Sequence, residues 1–204
     1  MDYLTIEEEA CATIEIRRSV FICNIRHIES FDEGMDYVKA ISAKYSDARH
    51  NCYAIITRSL EQKFSDDGEP QGTAGMPILQ TIKNKNLVDV AAVVTRYFGG
   101  IKLGASGLIS AYTKSIANAL EIAKVINKKE SYIGQITTTY AEHQSFLHQT
   151  RDYEIIILDT QYGDSVEYII GVPIDKKDDV ERVIAMVTNG LKSIDWKESK
   201  FLKF

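Results

Sequence analysis

Residues 87–98 read LVDVAAVVTRYF, the strongest strand pattern in the chain, and GGIKLG follows directly at 99–104. The apolar run predicts a buried strand, and apolar residues at helical spacing over 105–124 then predict a helix. A strand, a glycine-rich connection and a helix therefore follow one another. Backbone N–H groups at the start of such a helix attract anions, and the flanking Arg96 and Lys102 add positive charge.

The glycine-rich connection departs from the familiar nucleotide-binding patterns. A P-loop has a phosphate-contacting lysine where this chain has Ala105, and the dinucleotide pattern G-x-G-x-x-G is not met either. A nucleophile elbow needs glycine at the position of Leu108. Two interpretations stay open: a tight strand-to-helix connection that glycines allow to pack closely, and a site for phosphate or a nucleic-acid backbone.

The first fifty residues indicate a mixture of strands and helix. Alternating apolar residues over 10–28 predict two antiparallel strands joined near Arg17-Arg18-Ser19. Ser30 and Glu33 form a capping-box pattern, which marks the start of a helix. Apolar residues at helical spacing continue from there to Tyr45.

The next strand prediction is CYAIIT at 52–57, within a stretch that begins DARHNCYA at 47–54. His50 and Cys52 could form a thiol–imidazole pair. We expect their side chains on opposite faces of the strand, so we predict that Cys52 is a buried structural cysteine. Arg49 and His50, just before the strand, are candidates for a binding surface.

The acidic loop FSDDGEPQGTAG at 64–75 carries three carboxylates, on Asp66, Asp67 and Glu69. Carboxylate oxygens suit magnesium or calcium, but the spacing of an EF-hand is absent. A general acid/base pair needs two carboxylates in different environments, which neighbours on one loop rarely provide. Asp-Gly and Glu-Pro steps are typical of turns, so a turn or the entry to a helix near Thr73 is the favoured interpretation.

A polar stretch at 127–130 is predicted to separate two domains, 1–127 and 131–204. Beyond it the patterns predict, in order, strand 131–140, helix 142–151, strands 153–160 and 165–173, helix 176–189 and strand 192–198. This β-α-β-β-α-β order is the ferredoxin-like plan. The sequence therefore predicts an α+β protein of two domains.

Composition indicates an ordinary globular protein, with 45% hydrophobic and 26% charged residues and a formal net charge of −5. Residues 1–127 have 14 basic and 16 acidic residues, and the remainder has 10 and 13, so neither domain shows a basic excess. The acidic first ten residues do not resemble a signal peptide, and no apolar run is long enough to span a membrane. Three cysteines without a C-x-x-C pair suggest neither disulfides nor zinc. We expect a cytoplasmic protein.

Three stretches together resemble the signature of the Impact/YigZ family: SDDGEPQGTAGMPIL at 65–79, VVTRYFGGIKLG at 93–104 and GLISAY at 107–112. The resemblance implies an N-terminal ribosomal-protein-like domain similar to the fourth domain of elongation factor G. It also implies a small ferredoxin-like C-terminal domain similar to the fifth domain of that factor.

The resemblance further implies translation-related regulation. Eukaryotic members bind an activator of a stress kinase that phosphorylates an initiation factor, and nucleic-acid or ribosome binding has been inferred for bacterial members from their fold. We predict a non-enzymatic protein that binds RNA, the ribosome or a translation factor, with no cofactor, metal or membrane association. The predicted binding surface comprises Arg49, His50, Asp66, Asp67, Glu69, Thr73, Arg96, Tyr97, Gly99, Gly100, Lys102, Gly104, Ser106 and Tyr112.

The chain departs from the family pattern at three positions. The family usually has glycine and arginine where this chain has Ser106 and Ser110, and a cation where it has Val20. Each of the two motifs loses a cation from the predicted binding face. Two alternatives remain: a metal-assisted hydrolase that acts on a phosphate ester or peptide through the 64–75 loop, and a module that binds only proteins.

Overall fold

The computed structural model describes residues 2–204, which divide into two compact units. The N-terminal unit spans Tyr3–Ile126, and the C-terminal unit comprises Asn127–Phe204 with Asp2. Each unit combines helices with an antiparallel sheet, so the chain has the predicted α+β, two-domain architecture. Within residues 2–204, no helix has the length and apolar character that crossing a membrane requires.

Antiparallel strands form the sheet of the N-terminal unit, in the order β2-β3-β6-β4-β5. The strands of this unit are β1 (Tyr3–Ile6), β2 (Ala10–Ile16), β3 (Ser19–His27), β4 (His50–Ile56), β5 (Gln62–Ser65) and β6 (Val90–Tyr97). The predicted hairpin is confirmed, because β2 and β3 pair from Ile16 opposite Ser19 and are joined by Arg17 and Arg18.

The central strand β6 explains why LVDVAAVV is apolar without alternation. Val90, Ala92 and Val94 face one hydrophobic core, whereas Ala91 and Val93 face a second core on the other side of the sheet. Helices cover both faces, so every position from 90 to 96 is buried. A strand buried on both faces needs apolar residues at consecutive positions.

The helices of this unit are α1 (Phe31–Lys44), α2 (Gly75–Asn84) and α3 (Gly104–Ile122). Ser30 caps α1 as predicted, since its Oγ accepts the Glu33 N–H at 3.2 Å. The Glu33 carboxylate accepts from the Glu29 N–H, one residue earlier than a capping box requires. Pro77 lies in the first turn of α2, where its missing N–H costs no helical hydrogen bond.

The second unit has the predicted ferredoxin-like arrangement. Its elements are β7 (Val125–Thr138), α4 (Tyr140–Gln149), β8 (Ile156–Tyr162), β9 (Val166–Pro173), α5 (Lys177–Val187) and β10 (Asp195–Lys203). In its five-stranded sheet β7 lies next to β9 and β9 next to β8, while β10 and β1 both pair with β7; the β10–β7, β7–β9 and β9–β8 pairs are antiparallel. Phe146 and Val180 from the two helices pack against Tyr168 and Ile170 of β9.

Two parts of the sequence interpretation differ from the structure. The polar stretch 127–130 is not a break between elements, because it lies inside β7 and pairs with β10. Its half-buried lysines and glutamate hide the strand periodicity. Strand β5 was also missed, since three of its four residues are exposed and QKFS has no apolar alternation.

Candidate functional site

The connection between β6 and α3 packs directly against the turn between β2 and β3. A Cβ added at Gly99 would lie 2.0 Å from the carbonyl carbon and from the oxygen of Arg18, so this approach requires glycine. The Gly99 N–H also donates to Ser19 Oγ at 3.2 Å. The glycine-rich loop therefore holds the Arg17-Arg18 turn close to the loop that leads into α3.

Helix α3 begins at Gly104, whose φ of +73° is a left-handed conformation that glycine adopts without strain. Among residues 2–204, no side chain caps this helix at Leu103, and its first turn contains no acidic residue. The first N–H groups of a helix lack intrahelical acceptors and carry partial positive charge. The start of α3 therefore suits an anionic ligand.

A cavity of about 330 Å³ opens at the start of α3. Six of its lining residues belong to the surface predicted from sequence: Arg49, His50, Glu69, Arg96, Lys102 and Gly104. The other five lining residues were not part of that prediction: Pro70, Phe98, Leu103, Ala105 and Leu108. The cavity therefore joins cationic side chains to an apolar wall that sequence reasoning missed.

Glu69 and Arg96 form a buried ion pair at this cavity. Arg96 Nη1 donates to Glu69 Oε1 at 2.7 Å, and the two side chains are 6% and 4% exposed. The Tyr112 hydroxyl donates to the same oxygen at 2.8 Å, and burial raises the pKa of Tyr112. Arg96 was expected to offer its charge to phosphate, but Glu69 neutralises that charge. Among the described residues, the buried Arg96 Nε has no acceptor.

Asp66 anchors the start of helix α2. Its Oδ1 accepts the N–H groups of Ala74 and Gly75 at 2.9 Å, and its Oδ2 accepts the Gly72 N–H at 2.8 Å. No acid lies in the first turn of α2, so this carboxylate supplies the negative charge that a helix start favours. This is the helix-entry role that the sequence favoured.

Asp67 ties the acidic loop to β4. Its Oδ2 accepts the Asn51 N–H at 2.6 Å, and its backbone oxygen accepts the His50 Nδ1–H at 2.7 Å. Asp66, Asp67 and Glu69 therefore each bind different protein donors. Within residues 2–204, no group of three or more histidine, cysteine, aspartate or glutamate side chains is placed to hold a metal ion.

Cys52 is fully buried, as predicted, but the expected opposite placement of His50 and Cys52 is wrong. Residues two positions apart share one face of a strand, and both side chains approach the acidic loop. The Cys52 Sγ lies 2.9 Å from the Asp66 backbone oxygen and 3.3 Å from the Tyr112 hydroxyl. Burial raises the pKa of the Cys52 thiol, which keeps it protonated and unreactive.

Several predicted surface residues lie outside the cavity and support the loops around it. Thr73 Oγ1 donates to the Pro70 backbone oxygen at 2.6 Å. The Tyr97 hydroxyl donates to Asp47 at 2.8 Å, and this hydrogen bond raises the pKa of Tyr97. Gly99 and Gly100 belong to the glycine-rich loop, and Gly100 has a positive φ of 85°.

A second groove, of about 700 Å³, runs along α3 and β2. Its lining includes Arg17, Leu103, Ser106, Ser110 and Lys114. Leu103 lines the cavity as well, so the cavity and the groove meet at the start of α3.

Five exposed cations belong to the cavity, the groove and the adjoining turn. We call Arg17, Arg18, Arg49, Lys102 and Lys114 the cationic surface. Among the described residues, none of the five forms an ion pair with a carboxylate. Their charge is therefore available to an external anion.

Comparison with known proteins places the chain in a family. The family model described as the Impact N-terminal domain matches residues 17–120, which contain both the acidic loop and the start of α3. The chain belongs to the Impact family. A second family model, described as a domain of unknown function (DUF1949), matches residues 136–191 in the C-terminal unit.

Other Impact family members match along most of the chain. It is 34% identical over 203 residues to IMPACT family member YvyE of Bacillus subtilis, covering 98% of this chain and 94% of that protein. It is 34% identical over 134 residues to IMPACT family member YigZ of Escherichia coli, covering 64% and 65%. A solved structure described as the crystal structure of a hypothetical protein matches with a TM-score of 0.62 at 27% identity, covering 97% of this chain and 98% of that one.

The departures from the Impact family pattern fall outside the cavity. Ser106 and Ser110 line the groove, where Arg17 and Lys114 remain. Val20 is half-buried in the β2–β3 hairpin and pairs with Glu15 and Tyr97 of the neighbouring strands. A cation at position 110, which the sequence resemblance implied, would therefore lie along the groove, whereas Arg49 and Lys102 line the cavity.

Proposed function

We propose that this Impact family member is a non-enzymatic, translation-associated regulator that acts in the cytoplasm and binds RNA, including the RNA of the ribosome. The cationic surface at the uncapped start of α3 is the observation that carries the proposal. RNA phosphates would accept from the α3 N–H groups and pair with cations that have no carboxylate partner among the described residues.

The protein as a whole is acidic, so its attraction to RNA must come from one part of its surface. The chain has a net charge of −5, so attraction to RNA comes from the cationic surface rather than from the whole molecule. Five cations that each neutralise one phosphate of a single strand give a log–log salt slope of about −3.5. Affinity should accordingly fall steeply as salt rises.

The internal bonding of the site supports binding rather than catalysis. The three carboxylates of the acidic loop accept hydrogen bonds from backbone N–H groups, Arg96 or Tyr112. The Cys52 thiol is buried with a raised pKa, which makes it a poor nucleophile. The free thiols of Cys11, Cys23 and Cys52 support a reducing compartment such as the cytoplasm.

The test measures binding of a fluorescent single-stranded RNA and co-sedimentation with ribosomes over a range of salt concentrations. The variant Arg17→Gln/Arg49→Gln/Lys102→Gln removes three members of the cationic surface. Its salt slope should be shallower by about 2, since each lost phosphate contact contributes about 0.7. Its affinity at low salt should fall together with the slope.

The matched control is Lys176→Gln/Arg182→Gln/Lys197→Gln in the C-terminal unit, which changes the net charge equally. Each of these cations already pairs with a carboxylate. The control should keep both the affinity and the slope of the unmodified protein. Equal losses in the two triple variants, or no RNA binding at low salt, would refute the proposal. Ribosome binding that survives high salt and nuclease would point to a protein partner instead.

A further inference from the structure

The cavity at the start of α3 has the composition of a nucleotide pocket. Its volume of about 330 Å³ lies within the range of small-molecule sites. Arg49 and Lys102 can pair with a phosphate, while Phe98, Pro70 and Leu103 supply an apolar surface. Phosphate contacts alone need no such surface, so the apolar wall calls for a second explanation.

Phe98 is the distinctive member of that wall. Phe98 is 44% exposed, although residues 90–96 of the strand before it are all buried. The Arg96 guanidinium carbon lies 5.6 Å from the centroid of the Phe98 ring and 5.5 Å from that of Phe21. Because Glu69 holds this guanidinium in a buried ion pair, Phe98 rests on a fixed support.

An exposed aromatic ring on a rigid support is the usual platform for an unstacked base. The Phe98 ring reaches the same cavity as Lys102 and the first residues of α3. A base on the ring and a phosphate at the helix start would therefore belong to one nucleotide. Arg96 also lines this cavity and is only 5% exposed, so the support under the Phe98 ring is itself buried.

We propose that the cavity receives one unpaired nucleotide of a single-stranded RNA, with its base stacked on Phe98 and its phosphate at the start of α3. A base within a duplex is stacked on its neighbours and cannot enter a pocket without being extruded. The site therefore selects single-stranded segments, such as loops and ends, over continuous duplex. This inference rests on the proposed RNA binding and specifies the form of RNA that is bound.

The experiment compares Phe98→Leu with Phe64→Leu, a matched change at another aromatic residue of the N-terminal unit that is 39% exposed. Leucine preserves apolar bulk but removes the stacking face. Binding is measured by anisotropy with a labelled single strand and with the same sequence in a duplex. A single strand that carries 2-aminopurine reports entry into the cavity, because its fluorescence changes when the base leaves its neighbours in the strand.

We expect Phe98→Leu to weaken single-strand binding about tenfold, as loss of one base–aromatic stack does, without changing the salt slope. The change in 2-aminopurine fluorescence on binding should disappear in this variant and persist in Phe64→Leu. Lys102→Gln should instead make the salt slope shallower, by the amount that one phosphate contact contributes. Circular dichroism establishes that both leucine variants are folded.

Two outcomes separate this inference from the proposed function. If single strand and duplex bind equally and Phe98→Leu changes neither the affinity nor the 2-aminopurine signal, the nucleotide pocket is wrong and RNA binding through phosphates stands. If the unmodified protein binds no RNA at low salt, both proposals fall together.

Discussion

The cationic surface of the N-terminal unit and the cations of the C-terminal unit differ in whether they have carboxylate partners. In the C-terminal unit, lysines and arginines pair with neighbouring carboxylates, as at Lys129–Glu154, Lys192–Glu142, Arg182–Asp179 and Lys200–Glu198. On the cationic surface of the N-terminal unit, no member has such a partner among the described residues. An exposed ion pair adds at most about 1 kcal/mol to stability, so the N-terminal unit gives up little and keeps its charge for a ligand.

Other cations of the N-terminal unit do form ion pairs, as at Arg26–Glu33 and Lys39–Asp36, and one ion pair of this unit lies at the cavity. Glu69 and Arg96 are almost completely buried, and their bond sits at the cavity that the exposed cations line. A buried pair behaves differently from an exposed one, because removing one partner leaves a charge without water or a counter-ion. The comparison therefore separates cations that hold the site together from cations that are free to bind.

The largest expected effect comes from breaking this buried pair. Glu69→Gln should lower the free energy of unfolding by about 3–5 kcal/mol, because the buried Arg96 loses its counter-ion. Urea unfolding followed by circular dichroism measures the loss, and hydrogen exchange of β6 amides locates it. The control Glu61→Gln, at an exposed position, should change stability by less than about 0.5 kcal/mol.

A double variant makes this prediction sharper. Arg96→Met added to Glu69→Gln removes the stranded charge, so the double variant should be more stable than Glu69→Gln alone. If Glu69→Gln unfolds at the same urea concentration as the unmodified protein, the pair does not support the cavity and Phe98 has no fixed platform.

Most strands and helices could be predicted from the sequence, but the roles of the polar residues could not. The apolar run of β6 and the alternation over 10–28 predicted strands that the structure contains. Strand β5 and the start of β7 were not predicted, because exposed or half-buried polar residues show little of the alternation that marks a strand. The start of β7 pairs with β10, which is distant in the chain, whereas β5 pairs with β4, the strand directly before it.

The roles of single residues in the site could not be predicted from the sequence either. Asp66, Asp67 and Glu69 are close in sequence, yet they bind partners up to 43 positions away. The partner decides whether a carboxylate caps a helix, ties a loop or neutralises a buried arginine. Phe98 escaped notice because an aromatic residue at a strand end normally indicates core, and only the fold shows that it is exposed.

A smaller effect is expected at the Arg17-Arg18 turn. Both arginines have positive φ, 48° and 65°, as in a type I′ hairpin turn, which favours glycine or asparagine. Arg18→Gly should therefore raise the free energy of unfolding by about 1 kcal/mol, and it should weaken RNA binding because one exposed cation is lost. Urea unfolding and RNA anisotropy measure the two effects on the same variant.

The control for the turn is Leu60→Gly. Leu60 also has a positive φ, 66°, in an exposed turn, but it carries no charge. It should gain stability like Arg18→Gly and bind RNA unchanged. If Arg18→Gly gains stability without losing affinity, Arg18 is not part of the RNA-binding surface, and the contrast between the two units rests on the remaining four cations.

The smallest effect is expected at Glu142, the carboxylate that pairs with Lys192 in the C-terminal unit. The hydrogen bond from Lys192, followed by that from the Thr139 backbone at the start of α4, lowers the pKa of Glu142 from 4.5 to about 2. A carboxyl whose pKa is lower in the folded state stabilises that state above pH 4.5, and this contribution is lost as the pH falls toward 2.

Glu142→Gln should abolish that part of the acid dependence of stability, which is worth a few tenths of a kcal/mol because solvent screens the pair. Urea unfolding between pH 2 and 6, followed through the single tryptophan Trp196, measures it, with the exposed Asp164→Asn as control. An unchanged acid profile in Glu142→Gln would show that the Lys192–Glu142 pair contributes nothing to the stability of this unit.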